Sequence, residues 1–224
     1  HSFLRRMMII VRELEMVDSE VQRKSNSFHN IKTLPNDIFK SIGASLLISI
    51  VSYCNLICTN KFIGAFLFSF GLIIICKFGL SLFTGMAGYI TTKNIPPFAV
   101  AITINLIFAF ILGRIMSYNT QATAKAIEIY NSKINMSILD LFVSSIFCGM
   151  MIYIGVEYYK RHSSFLGILF AIPIFVICGF DHAVADTFYY SIVGQYDIKD
   201  LILLAIVVIG NIIGSNLVRF IFSH

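Results

Sequence analysis

The sequence predicts an all-α integral membrane protein with six transmembrane helices in two inverted three-helix repeats, the second and fifth spans being broken. Three observations carry this. Hydrophobic residues make up 57% of the 224 residues and charged residues only 13%, with a mean hydropathy of +0.82, whereas soluble domains carry about 25% charged residues. The apolar residues fall in long segments. A span needs about 20 of them, so the chain has room for six or seven spans and no separate soluble domain. Two of the segments are interrupted in matching places a hundred residues apart, at Gly79-Leu80-Ser81-Leu82-Phe83-Thr84-Gly85 and at Gly179-Phe180-Asp181-His182-Ala183-Val184-Ala185-Asp186. Paired interruptions in two halves are the mark of an inverted repeat.

Residues 1–37 read as a cytoplasmic amphipathic segment. Leu14, Val17 and Val21 fall at helical spacing within a mixed-charge stretch, which suits a helix lying on the membrane or against a neighbouring subunit. The six-span domain occupies 38–224, with repeat one at about 38–117 and repeat two at about 137–223. Pro35 opens the approach to the first span, Ile38 to Ile57, whose Ser41, Gly43, Ala44, Ser45 and Ser49 allow close helix contact. The second span runs from Phe62 to Phe78, breaks over Gly79–Gly85 and resumes to about Thr92. Pro96-Pro97 opens the third, which ends near Met116. Residues 117–136 read as a polar loop with some helical character. The fourth span is Ile138 to Tyr158. The fifth runs from Phe165 to Cys178, breaks, and resumes from Val184 to Val193. The sixth is Ile198 to Phe222, with Gly210-Asn211-Ile212-Ile213-Gly214 at the spacing of tight helix contacts.

Basic residues near span ends set orientation. Eleven of the 17 lie on the side of the N-terminus, five on the other, and Lys77 stands inside a span. Both termini are therefore expected in the cytoplasm, in a plasma membrane, with lipids as the surrounding partner. The net charge of +5 does not point to nucleic acid, because the cations flank spans and form no single patch. The charged residues between Arg5 and Lys40 and the lack of a small-residue cleavage pattern argue against a cleavable signal peptide. The five cysteines, Cys54, Cys58, Cys76, Cys148 and Cys178, lie in or near apolar segments without zinc-binding spacing, and read as small buried hydrophobes. No enzymatic activity, cofactor or metal is expected.

Asp181, His182 and Asp186 stand where a span crosses mid-membrane. Charge at that depth is expensive unless paired or wet, and non-helical backbone survives there only when buried in protein or lining a cavity. A helix broken around a polar path accounts for both. The blander readings are that His182 is structural, that Asp186 caps the second half-helix or pairs with Lys77, that Lys77 snorkels or faces a subunit interface, and that the 21 phenylalanines are lipid-facing or core.

Leu82-Phe83-Thr84-Gly85 resembles the second-span break of the formate/nitrite transporter family. Gly179-Phe180-Asp181-His182-Ala183-Val184-Ala185-Asp186 is similar to its Gly-Phe-Glu-His-x-x-Ala-Asn signature, and Gly210-Asn211-Ile212-Ile213-Gly214 to its sixth-span Gly-Asn-x-x-Gly. The resemblance covers roughly Ile38 to the end. It implies a homopentamer of six-helix, aquaporin-like protomers, each with a pore for small monovalent anions such as formate, nitrite, hydrosulfide or lactate. Carried over by position, Phe68, Leu72 and Phe175 form a hydrophobic constriction. Leu82 narrows the cytoplasmic side, Thr84 offers a hydroxyl inside the pore, His182 is the central histidine, and Lys133 draws anions from outside. Lys24 is a candidate for the cytoplasmic lysine before the first span. The chain departs from the family pattern at Ser81 (usually Glu), Asp181 (Glu), Asp186 (Asn), Gly149 (Asn) and at Phe108, which replaces the glycine after Asn105-Leu106-Ile107; Lys77 is an additional cation. Lys77, Ser81, Asn105 and Asn211 are accessory candidates.

Three devices lower the desolvation barrier to an anion: vestibule lysines, half-helix N-termini at the breaks, and a proton donor that neutralises a weak acid's anion. His182 suits the last, with a reference pKa of ~6.5, and Asp181 is placed to fix its tautomer or favour its charge. The expected function is passage of a weak monovalent acid. A channel for a neutral solute such as water or urea is the alternative, followed by a metal-binding membrane protein using Asp181, His182 and Asp186.

Overall fold

The computed structural model describes residues 34–194 and 197–223, and they are helical almost throughout. The expected N-terminal amphipathic helix and Lys24 lie outside the described residues. The helices are α1 (Leu34–Ile57), α2 (Lys61–Phe78), the short α3 (Phe83–Met86) continued by a 3-10 turn (Ala87–Tyr89), α4 (Ile95–Met116), α5 (Thr120–Ile134), α6 (Ile138–His162), α7 (Leu166–Cys178), α8 (Ala183–Val193) and α9 (Ile198–Phe222). Helices α1, α2, α4, α6 and α9 are long and apolar enough to span a bilayer. Helices α7 and α8, bent by 45° across their break, count as a sixth when taken as one span.

Helix ends differ modestly from the expected ones. Pro35 lies within the first turn of α1, where a missing N–H has no helical partner to lose. The second-span break is shorter than Gly79–Gly85: only Gly79 to Leu82 is non-helical, and the resumed part ends at Tyr89 instead of Thr92. Residues 120–134, expected as a loop with some helical character, form a full helix. Asn119 caps it by accepting the Ala122 N–H, and Ala122, Ala126 and Tyr130 make its buried face. Alanine at that face lets the helix sit close to α8, which it contacts.

The packing pairs are matched between the halves. Helix α1 packs on α4 and α2, α6 packs on α9 and α7, and α2 and α7 pack on each other. Small residues set the closest of these approaches. A Cβ on Gly214 would lie 2.0 Å from the Ile146 carbonyl oxygen, and one on Gly149 2.2 Å from that of Asn211, so α6 and α9 meet backbone to backbone. That contact explains glycine at 149, where a longer side chain has no room. On α1, Ser41, Ser45, Ser49 and Ser52 all point inward and are fully buried. Ser41 and Ser45 donate to the carbonyls of Asp37 and Ser41, one turn back. The outer surface carries exposed rings such as Phe62, Phe70, Phe170 and Phe220, as expected of a surface that meets lipid tails or further subunits.

Candidate functional site

The site begins with backbone. Helices α2 and α7 both end on a glycine with left-handed dihedrals, Gly79 (φ 61) and Gly179 (φ 74), a conformation that other residues resist. Each end is closed in the same way. The Leu80 N–H donates to the Ile75 carbonyl (2.9 Å) and that of Gly79 to Cys76 (3.3 Å); the Phe180 N–H donates to Phe175 (3.0 Å) and that of Gly179 to Val176 (3.2 Å). This paired closure satisfies carbonyls that the broken helix would otherwise leave bare.

The extended residues after each glycine are held by one buried asparagine. Asn105 accepts the Phe83 N–H (2.9 Å) and donates to the carbonyls of Ser81 (3.2 Å) and Ser41 (2.9 Å). Asn211 accepts the Ala183 N–H (3.1 Å) and donates to those of Asp181 (2.8 Å) and Ser145 (2.9 Å). Both side chains are 0% exposed. An amide has a donor and an acceptor on one stem, so it can clamp both sides of an interrupted chain at once. These two accessory candidates therefore act on the backbone. Ser81 is placed the same way: its N–H meets the Lys40 carbonyl at 3.3 Å.

The two breaks meet at a hydrogen bond. His182 is the N-cap of α8, and its Nδ1 accepts the Ala185 N–H (3.2 Å). A neutral imidazole has one donor and one acceptor, so its proton is on Nε2, which stands 3.0 Å from Thr84 Oγ1. The Nε2–H donates, and the threonine's own hydrogen can turn toward a third group. The expectation that Asp181 orients this ring is not met. The Asp181 carboxylate is bonded to Lys133 and to the Ser144 hydroxyl, and the tautomer is set by backbone instead.

Apolar side chains surround that bond. Phe68 and Phe175 meet edge to face with centroids 5.6 Å apart, and the Phe175 ring lies 6.0 Å from that of His182. Leu72, one turn from Phe68, and Leu82 are each 2% exposed. Beyond the rings opens a cavity of about 380 Å³ whose lining includes Phe68, Phe175, His182, Asn55, Tyr189, Lys133 and Asp186, with Lys61 and Lys125 also on its wall.

Lys133 differs from its expected placement as an outer loop cation. It is 7% exposed and held from the last turn of α5 between Asp181 and Asp186, with 2.9 Å to Asp186 Oδ1. Burial opposes its charge, but the Asp186 and Asp181 carboxylates outweigh burial and hold the ammonium above the usual lysine range. Asp186 thus pairs with Lys133, not with Lys77, whose Nζ lies 5.9 Å from the Phe165 ring centroid. Ser144 is a site residue that the sequence barely signals. It donates to the Asp181 carboxylate and accepts the Asp181 N–H (3.2 Å); the only hint was a Ser144-Ser145 pair in an apolar run. Asn55 and Tyr189 carried no sequence signal at all. Among the described residues no group of three or more His, Cys, Asp or Glu is arranged to hold a metal ion.

A bundle of apolar helices with two interrupted segments joined over buried polar groups defines a multi-pass membrane transport protein. Residues 15–224 match the family model described as formate/nitrite transporter, and the chain belongs to that family, one of transporters and not of enzymes. Among solved structures it is similar to one titled "Pentameric formate channel with formate bound", at 19% identity and a TM-score of 0.70, over 84% of this chain and 94% of that one. No curated protein sequence matches.

Proposed function

We propose that the protein is a channel for small monovalent weak-acid anions, of the formate, nitrite or hydrosulfide kind. The observation that carries this is the His182–Thr84 hydrogen bond, which joins the two breaks behind an apolar constriction. The matched glycine ends and asparagine clamps support six spans in two inverted three-helix repeats, and the similar formate channel is a pentamer by its title. A homopentamer in the plasma membrane with cytoplasmic termini, each protomer with its own path, follows from that reading and from the basic residues at the span ends.

An anion arrives through the cavity, whose Lys61 and Lys125 raise its local concentration. The rings of Phe68 and Phe175 strip its water, a step of many kcal/mol for a bare charge. Beside the rings, on a residue that shares the cavity wall, stands the Nε2–H of His182. It donates a hydrogen bond, or the proton itself, to the anion, and the thinner the water the more the neutral acid is favoured. The N-terminus of α8 adds partial positive charge. Leu82 then narrows the way out. A neutral solute needs none of these charge devices, which is why the anion reading is preferred.

Proteoliposomes test it. Stopped-flow uptake of formate, nitrite and hydrosulfide is expected, with urea near the rate of empty vesicles. His182→Phe is expected to lower uptake of these anions by about tenfold or more at every pH, because the buried hydrogen-bond donor is lost. A variant with wild-type uptake contradicts the role given to the histidine, and urea as the preferred solute contradicts the anion channel.

A further inference from the structure

Resting on that reading, we infer that Asp186 carries a proton on Oδ2 and hands it to the incoming anion in the cavity, before the constriction is reached. The buried cluster contains two carboxylates and one ammonium. Asp181 is fully engaged, by Lys133 and by Ser144. Asp186 gives only Oδ1 to Lys133. Its Oδ2 is buried without a hydrogen-bond partner among the described residues, although the side chain is 2% exposed and lines the cavity. A bare carboxylate oxygen in that position is strongly unfavourable. A proton removes the surplus negative charge and turns the oxygen into a donor, on a residue that lines the space a substrate enters. A metal cation does not fit: one free oxygen is too few for a hard cation, and the Lys133 ammonium repels it.

The groups facing Asp186 agree with a single transferable proton. Lys133 from α5 and Asp181 from the break neutralise one another. His182 has its proton on Nε2, directed to Thr84. Tyr189 and Tyr190 on its own helix and Cys148 from α6 lie in its field. Tyr130 from α5 is occupied with Asp200 of α9. Lys61 and Lys125 share the cavity. The step is an acid–base exchange: the Oδ2–H bond breaks, a bond from hydrogen to the anion's oxygen or sulfur forms, and neutral acid and Asp186 carboxylate result. Water in the cavity returns the proton. His182 then meets an already neutral molecule and guides it by hydrogen bonding.

The test uses the full chain in proteoliposomes, with formate as the probe and a trapped pH dye reporting protons. Wild type is expected to bring in about one proton per formate, with uptake rising as external pH falls, because the protonated form is the competent one. Asp186→Asn keeps the shape and loses the proton; uptake at neutral pH is expected to fall by about tenfold or more and to become nearly independent of pH, while Asp186→Glu restores the profile. An Asp186→Asn variant with wild-type pH profile and proton ratio overturns the inference and leaves the channel reading standing. A wild type that moves no formate, nitrite or hydrosulfide overturns the channel reading itself. Should Asp186→Asn fail to fold, infrared spectroscopy of wild type decides. A protonated-carboxyl band that moves in Asp186→Glu supports the proton, and no such band overturns it.

Discussion

The two breaks share a backbone and differ in almost every side chain. Gly79 and Gly179 end their helices alike, and Asn105 and Asn211 clamp the extended residues beyond them alike. Yet Ser81 stands opposite Asp181, Leu82 opposite His182, and Met86 opposite Asp186. The first break resumes as a helix of four residues, the second as one of 11. The lesson is a division of labour. Backbone devices make the gap, and they are duplicated; the polar chemistry is concentrated on one side of it. The first break supplies a leucine and a hydroxyl to a path whose charges belong to the second.

The largest test of that asymmetry is Lys133→Met. It leaves the Asp181 carboxylate buried without its cation, and is expected to lower stability by about 3–5 kcal/mol, measured by thermal unfolding in detergent. In the first break, Ser81→Ala removes no charge partner and is expected to change stability by less than about 0.5 kcal/mol. Comparable losses from both would erase the distinction between the breaks.

The shared scaffold is tested next. Asn105→Ala and Asn211→Ala each strand a buried N–H and two carbonyls. Each is expected to destabilise by about 1–3 kcal/mol in all, since the freed backbone groups partly find other partners, and by similar amounts. A marked imbalance would show that the clamps are not equivalent. Gly179→Ala is smaller. A Cβ there would meet nothing within 4 Å, so only the left-handed backbone resists it, at about 1–2 kcal/mol. A larger loss would mean the break tolerates no adjustment. Smallest is Asp186→Asn, which exchanges one neutral group for another of the same shape and is expected to keep stability within about 0.5 kcal/mol of wild type.

Much of the fold and part of the site were legible in the sequence, for physical reasons that can be named. Glycines inside apolar runs mark where a helix stops, and a histidine between two carboxylates at mid-span has to be sheltered. So Gly79, Gly179 and His182 stood out from the chain alone. The partners did not. Lys133 is 48 residues from Asp181, and the turn that delivers it belongs to α5, whose polar sequence reads as a loop because its alanine face is weakly apolar. That Asp181 serves Lys133 and not the adjacent His182 depends on which way a two-residue extended stretch points. Periodicity says nothing about that. Ser144 was hidden because a lone hydroxyl in a span is ordinarily satisfied by its own helix.

Central to the mechanism is that the two breaks act as one gate through Thr84 and His182. A double-mutant cycle on formate uptake, with Thr84→Val, His182→Phe and both together, addresses this directly. The double variant is predicted to have the same pH profile and rate as His182→Phe alone, because the threonine acts through the ring. Losses that simply add, each side contributing independently of the other, would contradict a single gate.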